Sequence, residues 1–172
     1  MGLYCDFLAQ QEQSTTNMLG AILKQLVSRG RIPEHTRKVF QKAKKVFGGR
    51  GPRLPDMVDM LKKTTTSLPR LFIWIDALDK CTPKHRRELI ESLGEIIRVS
   101  PAVRVCLTGR PHIEDEIAGC FSKALRIPLN PTHADIMSYL EMRLEGDTDP
   151  NAMDDELRAD IIRIVPEKVS EM

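Results

Sequence analysis

The sequence predicts an α/β protein with a parallel sheet flanked by helices, and three observations carry that expectation. Strand-like and helix-like segments alternate along the 172 residues, the order of parallel-sheet folds. The run Leu71-Phe72-Ile73-Trp74-Ile75 shows no apolar/polar alternation, the habit of a strand buried on both faces. Asp76 closes that run, and an acid at the carboxyl end of such a strand lies where open α/β sheets bind their ligands.

Each element has its own local reason. Leu3 to Leu8 is a short apolar run ahead of the polar Gln10-Gln11-Glu12-Gln13 and reads as a strand. Ser14, Thr15 and Thr16 offer N-cap oxygens, and Leu19, Ile22, Leu23, Leu26 and Val27 then share one helical face up to Gly30. A second helix follows Pro33 and carries the basic residues Arg37, Lys38, Lys42, Lys44 and Lys45, read as a solvated face, to a stop at Gly48-Gly49. The glycine-rich Gly48 to Arg53 follows a helix rather than a strand, and Pro52 removes an amide donor, so it is a turn rather than a phosphate cradle. A third helix from Leu54 to Ser67 groups Met57, Val58 and Leu61 with Leu68.

After the central strand, Arg70 to Ile75, Thr82 and Pro83 start a helix with Leu89, Ile90, Leu93, Ile96 and Ile97 on its core face. Val103 to Thr108 is the next strand, followed by Gly109-Arg110-Pro111 and a short helix whose first turn holds Glu114, Asp115 and Glu116, well placed near its positive end. Ala124 to Pro128 is expected as a fourth strand. Thr132 and Asp135 form a capping box for a helix carrying Ile136, Leu140 and Leu144. A polar linker from Gly146 to Asn151 leads to a last helix from Met153 to Val165, presenting Leu157, Ile161, Ile162 and Val165.

Composition narrows the function classes. Lys and Arg number 26 against 24 Asp and Glu, and a net charge of +2 supplies no field for nucleic acid or an anionic membrane. Aromatics are 5% of residues, too few for base-stacking platforms. The longest apolar run falls far short of a membrane span, and Met1 to Asp6 lacks the basic and apolar regions of a secretory signal. The expectation is a cytoplasmic protein with no nucleic-acid and no membrane partner. Cys5, Cys81, Cys106 and Cys120 show no C-x-x-C pair and are read as thiols; a zinc site on Cys81 and His85 has generic spacing and is set aside.

A strand ending in Asp is how P-loop NTPases hold the magnesium that accompanies their phosphates. The next strand ends in Thr108-Gly109-Arg110-Pro111, which brings a planar, phosphate-matching arginine to the same sheet edge. These residues resemble the NACHT-type NTPases of the STAND class, especially the large fungal proteins with repeat arrays. LFIWIDALD, Leu71 to Asp79, is similar to that family's Walker B motif, VRVCLTGRP, Val103 to Pro111, to its sensor-1 strand, and Ile127 to Leu144 to the segment leading into its helical lid.

The resemblance implies a magnesium role for Asp76, a catalytic-acid position at Asp79 and a phosphate contact at Arg110, with Mg²⁺ and ATP or GTP as the family's cofactors. It divides the chain into a partial NTPase core, 1–130, and the start of a helical lid, 131–172. It also implies a signalling switch of the defence or programmed-cell-death type whose partners are copies of itself or other signalling proteins. The family usually has Glu after the second acid, whereas Lys80 stands here, and no Gly-x-x-x-x-Gly-Lys-Ser/Thr occurs in the chain. The chain alone is therefore expected to be inactive and to hold no cofactor, the alternative being a degenerate, non-enzymatic interaction module.

Overall fold

The computed structural model describes residues 1–28, 32–46, 51–146 and 153–170. They fall into two compact units, Met1–Ala124 and Leu125–Met172.

The first unit is α/β. Its elements are β1 (Gly2–Tyr4), α1 (Thr15–Val27), α2 (Glu34–Val46), α3 (Leu54–Thr65), β2 (Leu71–Asp76), α4 (Pro83–Val99), β3 (Val103–Leu107) and α5 (Glu114–Cys120). Single 3₁₀ turns at Leu78–Lys80 and Pro111–Ile113 follow β2 and β3. The strands form one parallel sheet in the order β1-β2-β3, with Leu3, Ile75 and Leu107 in register.

One face of this sheet carries the core. Leu71, Ile73 and Ile75 of β2 and Val103 of β3 join Met18, Leu19, Ile22 and Leu23 of α1, Met57, Met60 and Leu61 of α3, and Leu89, Ile90, Leu93 and Ile96 of α4 in a single buried cluster. The helical periodicities expected for α1, α3 and α4 thus meet on the same side. Burying each of these side chains contributes ~1.5–3 kcal/mol. Polar links pin the helices. Thr15, at the first turn of α1, donates to Glu88 Oε2 at 2.7 Å and to the His85 carbonyl at 3.2 Å, while Ser14 is the cap that accepts from Asn17 N. The hydroxyls of Thr65 and Ser100 lie 2.8 Å apart, joining the ends of α3 and α4.

The other face is open. Phe72 and Trp74 are 60% and 52% exposed. The expectation of a strand buried on both faces, with helices on both sides of the sheet, is therefore corrected: an uninterrupted apolar run does not reveal whether a second layer covers it.

Two strands differ from expectation. The first ends at Tyr4 instead of Leu8, because the Asp6 carboxylate accepts the Leu8 amide at 3.0 Å and its own amide turns to Gln13 Oε1 at 3.2 Å. Such local side-chain bonds compete with a ladder. The expected strand at Ala124 to Pro128 is absent. Residues 124–132 have no regular structure, with Leu125 and Leu129 87% and 83% exposed. Pro128 and Pro131 cannot donate to a ladder. The basic side chains of Arg37, Lys38, Lys42 and Lys45 are exposed on α2, and Lys38 pairs with Glu34 at 2.8 Å. The stop at Gly48-Gly49, half of the turn expected at Gly48 to Arg53 and most of the linker expected at Gly146 to Asn151 lie outside the described residues.

The second unit is helical, α6 (His133–Glu145) packing on α7 (Asp155–Ser170). The capping box forms as expected: Thr132 N donates to Asp135 Oδ2 at 2.9 Å and Asp135 N to Thr132 Oγ1 at 3.2 Å. Leu140 is buried, and Ile136 and Leu144 are partly so. In α7, Ile161, Ile162 and Val165 are partly buried while Leu157 faces solvent. That helix continues through Pro166 rather than ending before it.

Arg86 of α4 is a buried cation that ties α5 to the core. Its guanidinium donates to both oxygens of Glu116, at 2.8 and 2.7 Å, and to the Cys81 carbonyl at 3.2 Å. This hydrogen-bonded cation holds the Glu116 carboxyl below the usual glutamate range, against the opposing effect of burial. A carboxylate with a depressed folded-state pKa stabilises fully above its unfolded pKa, and the contribution is lost as pH falls through the folded value. Replacing Arg86 with Met is expected to cost about 2 kcal/mol at pH 7. In urea titrations across pH, the gap between wild type and variant should hold above pH ~5 and shrink below pH ~4.

Candidate functional site

The carboxyl ends of β2 and β3 lie side by side, and their register decides what meets there. Ile75 opposes Leu107, so the next residues, Asp76 and Thr108, face each other on the open side of the sheet. Thr108 Oγ1 donates to Asp76 Oδ1 and accepts from Ala77 N at 3.0 Å. The ladder continues through Thr108 N to the Ile75 carbonyl at 3.0 Å and Leu78 N to the Thr108 carbonyl at 2.9 Å. From the other side, Cys5 N donates to the Asp76 carbonyl at 3.0 Å. Both neighbouring strands therefore hold Asp76 in place.

The chain reverses immediately afterwards. Ala77 adopts φ 54°, ψ 43°, a left-handed conformation that costs a non-glycine residue ~1–2 kcal/mol. Its small side chain and the bond from its amide to Thr108 make this tolerable. The following 3₁₀ turn brings Asp79 back towards the strand ends with its side chain only 5% exposed. Two cations flank it: Lys80 Nζ and Arg110 Nε each lie 3.7 Å from Asp79 Oδ2, Arg110 with 70% of its side chain exposed. At that separation the attraction is coulombic rather than a formed hydrogen bond.

Gly109 fits between these turns for a steric reason. A Cβ there would sit 2.5 Å from Ile113 Cδ1 and 3.6 Å from Asp79 N. Ile113 is itself fully buried, so the tip has little room to retreat.

The structure thus brings together Asp79 and Arg110, and sets Asp76 three residues away at the start of the same turn. Asp76 offers an oxygen not taken by Thr108, and Asp79 has Lys80 and Arg110 beside it. Among the described residues no group of three or more His, Cys, Asp or Glu is arranged to hold a metal ion. Cys81 faces Cys5 and Met18, while His85 faces Thr15 and Glu88, so the two do not converge as ligands.

The model of the family described as Nephrocystin 3, N-terminal, matches residues 2–110, well over half of the chain and the whole stretch from β1 to Arg110. The chain belongs to this family. The Nephrocystin 3 N-terminal domain is a NACHT-associated region. The match includes Asp76, Asp79, Lys80, Thr108 and Arg110 and stops before α5. No curated protein and no solved structure matches the chain. Among the described residues no helix is long and apolar enough to cross a membrane.

Sequence reasoning named Asp76, Asp79 and Arg110 but missed the Thr108 bridge, the Arg86–Glu116 pair and the closeness of Cys5 to Cys81. Only the first left a signal: a hydroxyl residue ending the apolar strand beside an aspartate-terminated one.

The Thr108 hydroxyl and the Ala77 backbone can be tested separately. Thr108→Val is expected to lower stability by about 2 kcal/mol, with Thr108→Ser retaining most of it, because valine leaves a carboxylate and an amide without their partner. Ala77→Val should cost about 2 kcal/mol, while Ala77→Gly is neutral or stabilising by up to ~1 kcal/mol. Chemical denaturation of the four variants gives the comparison.

Proposed function

We propose that this chain carries the Walker B and sensor-1 part of a NACHT-type, nucleotide-dependent signalling switch of the STAND class, of the fungal defence or programmed-cell-death kind. In this reading Asp76 is the magnesium carboxylate, Asp79 the second acid and Arg110 the phosphate-contacting arginine. The observation that carries it is the pairing of Asp76 with Thr108 at two parallel strand ends, with Asp79 and Arg110 in the turns that follow. Membership of a NACHT-associated family supports the same reading.

The donor set fits the cofactor only in part. Asp76 would hold magnesium through the one carboxylate oxygen not bonded to Thr108, and the ion would supply positive charge against the phosphates. For the triphosphate the chain has no Gly-x-x-x-x-Gly-Lys-Ser/Thr loop, whose amides and lysine supply most of the affinity in P-loop proteins. Lys80, beside Asp79, cannot serve as the general base that a glutamate there would be. No catalytic step is assigned to this chain. Nucleotide binding needs a phosphate loop from elsewhere, and the protein acts by itself through assembly rather than turnover.

A second reading, a non-enzymatic interaction module, is favoured by the exposed Phe72 and Trp74 on the open sheet face. Both readings make copies of this chain or other signalling proteins the partners.

Calorimetric titration of the purified chain with magnesium ATP or GTP is expected to show no saturable binding at micromolar concentration. A micromolar Kd lost in Asp76→Ala would overturn the expectation and show that another segment cradles the phosphates. Light scattering over a concentration series separates the two readings. Association weakened by Trp74→Ser and indifferent to nucleotide supports the interaction module; association indifferent to Trp74 removes its basis.

A further inference from the structure

Cys5 and Cys81 are 76 positions apart in sequence, yet their sulfurs lie 3.1 Å apart. Both residues are buried, at 0% and 2% exposure, and both are free thiols. Cys5 directly follows β1, its amide bonded to the Asp76 carbonyl at 3.0 Å. Cys81 directly follows the 3₁₀ turn that carries Asp79 and Lys80, its amide bonded to the Leu78 carbonyl at 3.2 Å. Backbone hydrogen bonds thus hold both ends of the pair.

We propose that Cys5 and Cys81 form a reversible intramolecular disulfide with a peroxide as oxidant, stapling the end of β1 to the Asp79 turn. The proposal does not depend on nucleotide binding.

The surroundings give the two sulfurs different roles. Either thiol can donate to the other. Cys81 is the one held below the ordinary thiol range, by the hydrogen bond from Cys5 and then by the nearby Arg86 guanidinium, which itself donates to the Cys81 carbonyl. Cys81 is therefore the sulfur that gives up its proton more readily, and the thiolate is the form that reacts with oxidants. Cys5, its sulfur 3.1 Å away, is the partner that resolves the oxidised Cys81.

The thiolate attacks one peroxide oxygen; an S–O bond forms, the O–O bond breaks, and hydroxide leaves to take a proton from solvent. Cys81 is then a sulfenic acid. The Cys5 sulfur attacks it, an S–S bond forms, the S–O bond breaks, and the departing hydroxide leaves as water with the Cys5 proton. Two thiols are oxidised and one hydrogen peroxide becomes two waters. An external dithiol returns both thiols by exchange.

The segment from Asp6 to Gln13 lies beside the pair, Gln13 Oε1 being 3.9 Å from Cys81 Sγ. This segment is held by polar contacts, among them Gln10 Nε2 to the Lys80 carbonyl at 2.6 Å, while Phe7 and Leu8 project into solvent. A segment with so little buried apolar surface opens locally without global unfolding.

The test uses the reduced full chain treated with a small excess of hydrogen peroxide. Remaining thiols are then blocked with N-ethylmaleimide, and unreduced peptides are analysed by mass spectrometry. Expected are a Cys5–Cys81 linked peptide two hydrogens lighter than its parts, reversal by dithiothreitol, and a thermal midpoint roughly 10 °C above that of the reduced protein. In a Cys5→Ser variant, Cys81 should be captured by dimedone as the sulfenic acid. Free, maleimide-labelled Cys5 and Cys81 under conditions that oxidise the exposed Cys106 and Cys120 would overturn the proposal. So would Cys81 carried to sulfinic acid with Cys5 still reduced.

Discussion

Ile73 and Ile75 of β2 point from the middle of the sheet into the side that helices cover among the described residues of the first unit, and the rest of the architecture follows from that one-sided burial. α1, α3 and α4 each present an apolar stripe, and the three stripes close over the same residues. Removing a methylene there leaves a cavity that no second layer can relax into, the condition under which large-to-small changes cost most. Because this layer fixes β2, it also fixes where β2 ends.

That end point gives the candidate site its shape. Parallel pairing runs from Leu71 opposite Val103 to Ile75 opposite Leu107, and one more step sets an acid against a threonine. The open face of the sheet is the face on which Asp76 and Thr108 lie, so their polar groups meet beyond the apolar core rather than inside it. The left-handed Ala77 then turns the chain back, and Asp79 is tucked under two cations instead of facing solvent. Strain at Ala77, a hydroxyl bridge and a charge cluster occupy adjacent positions, as expected where a scaffold holds residues for a purpose beyond packing.

The same turn is supported from behind. Arg86 reaches the Cys81 carbonyl with one nitrogen and Glu116 with two others, so the segment after Asp79 and helix α5 share one buried cation. Cys81 in turn touches Cys5 at the end of β1. The turn bearing Asp79 is thus coupled to all three strands: by backbone to β2, through Leu78 and Thr108 to β3, and through the sulfur pair to β1.

Much of this was legible in the residues alone. Periodicity located α1, α3, α4 and α6, the Thr132–Asp135 box set the start of α6, and the Asp-terminated apolar run identified the central strand, because these signals depend on neighbours within a few positions. The failures have a common cause. Leu3 to Leu8 and Ala124 to Pro128 are apolar enough for strands, but a strand exists only where another offers it hydrogen bonds, and that is settled by distant parts of the chain. Phe72 and Trp74 look like core and are exposed, because whether a second layer covers a sheet is not written in the strand. The Thr108 bridge, the Arg86–Glu116 pair and the Cys5–Cys81 contact join residues 30 to 76 positions apart. Sequence by itself determined which residue types stand at the strand ends; only the tertiary register decided which of them meet, since side-chain chemistry reaches a few ångströms and the fold alone brings distant positions within that reach.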